Sequence, residues 1–171
     1  MIQKKICMVG VFGTGKTCLV QQFVHSIFSV KYHSTVGVKV DRKTLELDGS
    51  GVSLVLWDLA GRDGHSDITV SYLRGAHGII YVIDGTRRET FDQIFEIRDV
   101  VRGAVGEVPS VVALNKIDLV GQWLLGPAED AELGKHPWHR IRTSAKTGEG
   151  VEAAFGWLAR AALAAEKGAQ P

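Results

Sequence analysis

The chain has 171 residues, 45% of them hydrophobic, a length and composition that suit one domain with a full core and leave no room for a second. Its formal net charge is +1 with both signs interspersed, so nothing argues for a nucleic-acid partner or an anionic membrane surface. Two cysteines, Cys7 and Cys18, are too few for a disulfide framework and suit a reducing, cytoplasmic compartment, and no apolar run approaches the length of a membrane span.

Apolar runs alternate with helical patterns along the chain. Residues 3–9 predict a strand and residues 16–25 a helix, with a glycine-rich loop between them. Lys4 and Lys5 before an apolar run faintly suggest a signal peptide, but the run ends in that loop, which rejects targeting. Residues 26–37 have no clear period and read as a loop. Val38 to Leu47 alternates apolar and polar for much of its length, the mark of a half-buried strand. Asp48-Gly49-Ser50-Gly51 reads as a turn into a strand from Val52 to Trp57, giving an antiparallel hairpin. Residues 66–75 predict a short helix, and Gly78 to Ile83 a strand covered on both faces. Thr86-Arg87-Arg88-Glu89 has capping-box spacing and opens a helix ending near Gly103, with Phe91, Ile94, Phe95, Arg98 and Val101 at the spacing of a buried stripe. Val108 to Leu114 is a strand with Pro109 at its start, 116–127 a loop, 128–134 a short helix and Trp138 to Thr143 a strand. Val151, Ala154, Phe155, Leu158 and Ala162 place one apolar face on a last helix of about four turns. Six strands interleaved with five helices predict a doubly wound α/β domain, mostly parallel with one antiparallel hairpin strand. The expectation is a single domain over 1–171 with a flexible tail from about 165 to 171.

Four stretches carry chemistry, each placed just after a predicted strand. Gly10-Val11-Phe12-Gly13-Thr14-Gly15-Lys16-Thr17 contains the phosphate-loop pattern G-x-x-x-x-G-K-[ST]. Gly13 and Gly15 let backbone N–H groups approach an anion, and the helix opening at Lys16 adds its unpaired N–H groups and dipole. Lys16 can reach β- and γ-phosphates, and the Thr17 hydroxyl can ligate Mg²⁺. Asp58 closes an apolar strand and can hold Mg²⁺, usually through water, while Gly61 can offer its N–H to a γ-phosphate. Asn115-Lys116-Ile117-Asp118 specifies the base. A carboxylate only accepts hydrogen bonds, guanine presents two adjacent donors, and adenine presents an acceptor, so Asp118 pairs with guanine and repels adenine. Asn115 can tie this loop to the phosphate loop, and the Lys116 stem can cover one face of the base. In Thr143-Ser144-Ala145-Lys146 the Ala145 N–H can donate to guanine O6.

Together these motifs give the chain a plain resemblance to the Ras superfamily of small GTPases over residues 3 to about 165. The matching motifs are Gly10–Thr17, Thr35, Asp58–Gly61, Asn115–Asp118 and Ser144–Lys146, in order and spacing. Ser34-Thr35-Val36-Gly37 and Leu56-Trp57-Asp58-Leu59-Ala60-Gly61 resemble Rab proteins most. Trp138, the run Thr143 to Val151, and Phe155-x-Trp157-Leu158 share features with Arf proteins, and no subfamily is assigned. The resemblance implies a phosphate-loop G domain that binds GTP or GDP with Mg²⁺. It implies that Gly13, Thr14, Gly15, Lys16, Thr17, Cys18, Phe28, Thr35, Gly61, Asn115, Lys116, Asp118, Ser144, Ala145 and Lys146 hold the nucleotide, Cys18 through its backbone N–H. Thr17, Thr35 and Asp58 hold the metal. Phe28 packs on the guanine, and Tyr32 closes over the phosphates. Residues 30–38 and 59–75 become switches read by an effector, an exchange factor and an activating protein. A monomer, alone or in a complex, is expected. No anchor at either end matches the lipid attachments of Rab or Arf proteins: Ile2 follows Met1, and the last residues carry no cysteine.

The expected catalytic set is Lys16, Thr35, Gly61 and Arg62, and two departures bear on it. The family usually has Gln after the D-x-x-G glycine to orient the attacking water; this chain has Arg62, which carries no acceptor, followed by Asp63 in place of the usual Glu. Phe12 stands where the family usually has a small residue and would crowd the γ-phosphate and any arginine entering from a partner. Both predict slow hydrolysis with GTP binding intact. A rival idea has Arg62 stabilising transition-state charge in cis. Competing functions are a non-hydrolysing GTP-binding docking module, favoured by Arg62 and Phe12, and a metabolic phosphate-loop kinase, which Asn115–Asp118 disfavours. His136 and His139 read as a surface loop rather than a metal site. His65, in the second switch, is a weaker candidate for positioning water.

Overall fold

A computed structural model describes residues 1–31, 34–63 and 67–168. Six strands, β1 (Ile2–Gly10), β2 (Val38–Leu47), β3 (Ser50–Leu59), β4 (Gly78–Asp84), β5 (Ser110–Asn115) and β6 (His139–Thr143), form one sheet in the order β2-β3-β1-β4-β5-β6. All neighbours are parallel except β2 and β3, an antiparallel hairpin in which Val38 faces Leu59 and Leu47 faces Ser50. Asp48 and Gly49 turn that hairpin with φ of 51° and 78°. Two positive φ values in a two-residue loop are the primed turn whose twist matches the flanking strands.

Successive side chains of a strand point to opposite faces, so β1 feeds two cores. Ile6 and Met8 join the face covered by α1 (Lys16–His25) and α5 (Val151–Gly168), where Phe23 and Phe155 stack with centroids 4.1 Å apart. Cys7 and Val9 join the opposite face, covered by α2 (Arg88–Asp92) and α3 (Ile94–Val105) through Phe91, Ile94, Ile97 and Val101. Continuous burial of β4 and β5 on both faces follows from helices on each side. The short α4 (Pro127–Leu133) starts with Pro127 in its first turn, and Glu129 accepts from the Gly126 N–H at 2.7 Å.

Four expectations differ from the structure. Within 66–75 the only regular element among the described residues is a 3₁₀ turn, Val70–Leu73, held by the buried Leu73. The helix predicted from Thr86 is two pieces, α2 and α3, divided at Gln93, and it runs past Gly103 to Val105, where Gly106 takes φ +70°. The capping box does not form. The Thr86 hydroxyl donates instead to the Asp84 carboxylate at 2.7 Å, and Arg87 stands at the helix start. Finally, α5 has 18 residues and is helical through Gly168, so residues 165–168 are helix rather than tail; an ion pair from the buried Lys4 of β1 to Glu166 anchors that end. The carboxyl ends of β1, β3, β5 and β6 then place four loops along one edge of the sheet, where open α/β sheets bind ligands.

Candidate functional site

At that edge lies an open cavity of about 800 Å³, a size suited to a small ligand. Phe12, Gly13, Gly15, Lys16, Thr17 and Cys18 line it from the first loop, Phe28 and Thr35 from the loop after α1, and Gly61 from the end of β3. Asn115, Lys116, Asp118, Ala145 and Lys146 close the other end.

The glycine-rich loop is built as a cradle. Gly13 and Gly15 have φ of 76° and 101°, left-handed values that favour glycine. A Cβ on Gly15 would lie 2.3 Å from Asn115 Nδ2. Thr14 is fully buried, and its hydroxyl donates to the Val11 carbonyl at 3.0 Å. Lys16 is 6% exposed, and its ammonium donates to the carbonyls of Val11 at 3.1 Å and Gly10 at 3.4 Å. No carboxylate forms an ion pair with it among the described residues. Burial pushes its pKa down to about 8, with the charge of Asp58 opposing and that of Arg87 assisting. A buried ammonium bonded to neutral carbonyls fits a polyphosphate, which would restore its charged form.

Three oxygen donors converge beside it. Thr17 Oγ1 lies 2.8 Å from Thr35 Oγ1 and donates to Asp58 Oδ2 at 2.5 Å, and Thr35 Oγ1 lies 3.5 Å from the same oxygen. Asp58 is 1% exposed, and its Oδ1 has no hydrogen-bond partner among the described residues. Burial raises its pKa; the Thr17 bond and the Lys16 charge act against that. A buried carboxylate with an unpartnered oxygen and two hydroxyls is a hard-oxygen set that fits Mg²⁺.

Asn115 joins the two ends of the site. Its Nδ2 donates to the Thr14 carbonyl at 2.9 Å, and its Oδ1 accepts from Thr143 Oγ1 at 3.1 Å and the Ala145 N–H at 3.3 Å. Here the Ala145 N–H is directed to Asn115. Lys116, at φ 74°, reaches the Gly13 carbonyl at 3.1 Å and pairs with the buried Asp84 at 2.7 Å. Its head therefore fastens the phosphate loop while its stem runs past the cavity. The Ser144 hydroxyl donates to Asp118 Oδ1 at 2.7 Å and so orients that carboxylate. Phe28 is 39% exposed on the cavity wall.

Gly61 is set against the phosphate loop: a Cβ there would lie 2.5 Å from Phe12 Cα and 2.9 Å from Lys16 Nζ. The next residue zips the two loops together, Arg62 N–H to the Gly10 carbonyl at 3.0 Å and Phe12 N–H to the Arg62 carbonyl at 2.9 Å. The Arg62 side chain, however, is held by two carboxylates: its Nη2 pairs with Glu96 of α3 at 2.8 Å and its Nε with Asp67 at 3.7 Å. Tyr32 and His65 lie outside the described residues. Sequence reasoning missed Asp84, Thr143 and Arg87, whose guanidinium donates to the Phe12 carbonyl at 2.9 Å. Thr143 and Arg87 stand in stretches singled out for other reasons, the run to Lys146 and the helix start at Thr86, and only position after a strand could have drawn attention to Asp84.

The family model for the Ras family matches residues 5–164. The chain belongs to the Ras family. This Ras-family protein is 38% identical over 160 residues to the Ras-related protein Rab-1 of Theileria annulata, covering 92% of this chain and 73% of that protein. It is 35% identical over 158 residues to human Ras-related protein Rab-8B, covering 91% and 76%, and 38% identical over 160 residues to the GTP-binding protein YPT1 of Saccharomyces cerevisiae, covering 91% and 77%. The likeness is thus Rab-like. Members of the family bind GTP and GDP with Mg²⁺ and act as GTPase switches with effectors, exchange factors and activating proteins, and this chain is a small GTP-binding protein of that kind. Among the described residues no helix is long and apolar enough to cross a membrane.

Proposed function

We propose that this protein is a cytoplasmic GTP/GDP switch, a single G domain working as a monomer, whose intrinsic hydrolysis is slow. The observation that carries the slow rate is the placement of Arg62: its guanidinium is engaged by Glu96 and Asp67, and it has no acceptor with which to orient a water. Phe12, 40% exposed on the cavity wall, adds bulk where the γ-phosphate belongs.

In this reading Gly13 to Cys18 cradle the phosphates, Lys16 holds the β- and γ-phosphates, and Thr17, Thr35 and Asp58 hold Mg²⁺, which supplies positive charge to the phosphates when bound. Asp118, oriented by Ser144, selects guanine, with Ala145, Lys146, Lys116 and Phe28 around the base. Residues 30–38 and 59–75 present the nucleotide state to partners. The Ala60 N–H to Gly37 carbonyl bond at 2.8 Å couples these two segments.

The test is single-turnover GTP hydrolysis with purified protein. The rate should fall well below that of a Ras-like enzyme carrying Gln, and Arg62→Gln should raise it. A wild-type rate matching such enzymes sinks the reading. A drop with Arg62→Ala would instead favour the guanidinium acting in cis. The alternative is a GTP-bound docking module with little or no hydrolysis, which the same two residues favour. Denaturing the purified protein and identifying the released nucleotide separates them: GDP supports the switch, GTP the module, and an adenine nucleotide refutes both.

A further inference from the structure

Bonded to the phosphate loop is a cation that the switch reading leaves without a role. Arg87 follows β4 and stands at the start of α2. Its Nη1 donates to the Phe12 carbonyl, a contact spanning 75 residues of chain. Its Nε meets Glu89 at 3.0 Å in a half-exposed pair of a kind that contributes little. The loop it grips lines the cavity at Phe12, whose backbone and the Lys16 ammonium lie close against Gly61, the end at which the GTP reading puts the γ-phosphate. Arg62, the other arginine near the loop, has its guanidinium turned to Glu96 and Asp67.

We propose that Arg87 is a built-in positioning residue for the γ-phosphate, fixing the Phe12 carbonyl and adding a permanent positive charge at the end of the cavity where the terminal phosphate lies. The inference rests on the GTP reading of the site. An arginine keeps its charge at every accessible pH, and its planar fork can hold a carbonyl with one donor and direct others elsewhere. GTP carries one more charged phosphoryl group than GDP, so a cation at this end stabilises GTP more than GDP. In hydrolysis a water oxygen bonds to the γ-phosphorus and the bond to the β–γ bridging oxygen breaks, that oxygen keeping the electron pair. One water proton stays on the released phosphate and the other goes to solvent. A guanidinium already in place near the developing charge needs no reorganisation during that step, and arginines serving phosphoryl transfer are supplied within the same chain in some nucleotide hydrolases.

The test compares the wild-type chain with Arg87→Ala, Arg87→Lys and Glu89→Ala. The readouts are affinities for GDP and for a non-hydrolysed GTP analogue, and single-turnover hydrolysis. Arg87→Ala should weaken the GTP analogue on the order of tenfold more than GDP. Arg87→Lys should recover part of that preference, and Glu89→Ala, which removes a competing carboxylate, should increase it. Free guanidinium added to Arg87→Ala should restore part of the hydrolysis rate. An unchanged GTP-to-GDP affinity ratio in Arg87→Ala overturns the proposal whatever the wild-type rate, and so does an equal loss for both nucleotides, the signature of a purely structural anchor. A fast wild-type rate together with a lost ratio would sink the slow-hydrolysis reading and leave Arg87 in its role.

Discussion

At the scale of single residues the site depends on a few buried groups that each satisfy several others. Asn115 is 1% exposed and serves the Thr14 carbonyl, the Thr143 hydroxyl and the Ala145 N–H at once. Removing such a hub leaves buried donors and acceptors unpaired, at about 1–3 kcal/mol for each group. Asn115→Ala should therefore speed release of a fluorescent GDP analogue by at least about a hundredfold, since the lost bonds hold the phosphate loop against the base-binding loop. Asn115→Asp, which keeps an acceptor but loses the donor to Thr14, should fall between. Release as slow as in the wild type would show that the two loops are held by other means, Lys116 between Gly13 and Asp84 being the obvious one.

At the scale of elements, what could be read from the sequence tracks how local the cause is. α1 and β2 occupy 16–25 and 38–47 as their patterns predict, because a glycine loop starts the one and apolar–polar alternation over much of its length marks the other. The capping box at Thr86 failed because a tertiary partner intervened: Asp84, buried at the end of β4 and paired with Lys116, also accepts the Thr86 N–H and hydroxyl. The break at Gln93 and the 3₁₀ turn at 70–73 likewise have no local signal. In the site, motif residues were legible, whereas the engagement of Arg62 by Glu96 and the grip of Arg87 on Phe12 join residues far apart in sequence and could not be. The hairpin turn tests the reverse case, a purely local device. Gly49 has φ +78° with nothing within 4 Å of an added Cβ, so Gly49→Ala meets only backbone strain. It should lower stability by about 1–2 kcal/mol in denaturant unfolding and leave GDP affinity unchanged. A change in affinity would mean the distal end of the hairpin is coupled to the nucleotide edge of the sheet.

At the scale of the whole molecule, the site and the fold share one titration. Lys16 titrates near 8 when folded against an ordinary value of 10.5, chiefly because it is buried. Between those pH values the unfolded chain holds a proton that the folded chain has released, so nucleotide-free stability rises with pH across that window. The gain is at most about 1.4 kcal/mol for each pH unit. Cys7 acts in the opposite sense: burial pushes its thiol from 9.0 to about 12, so the unfolded chain loses that proton first and stability falls as pH passes 9. Nucleotide-free protein should therefore gain stability from pH 8 to 9 and level off above it, in thermal or denaturant unfolding. Lys16→Met should abolish the gain. The phosphates require the charged ammonium, so GDP affinity should be flat between about pH 7 and 8, where the terminal phosphate is fully ionised, and fall toward tenfold per unit above that range. Using inorganic tripolyphosphate as the ligand removes any contribution from ionisation of the base. If stability rises while anion affinity stays constant through pH 9, then Lys16 is buried for the fold alone and the phosphates are held by the backbone N–H groups of the loop. If the two curves bend at the same pH in opposite directions, the buried ammonium that weakens the empty fold is the charge that binds the nucleotide.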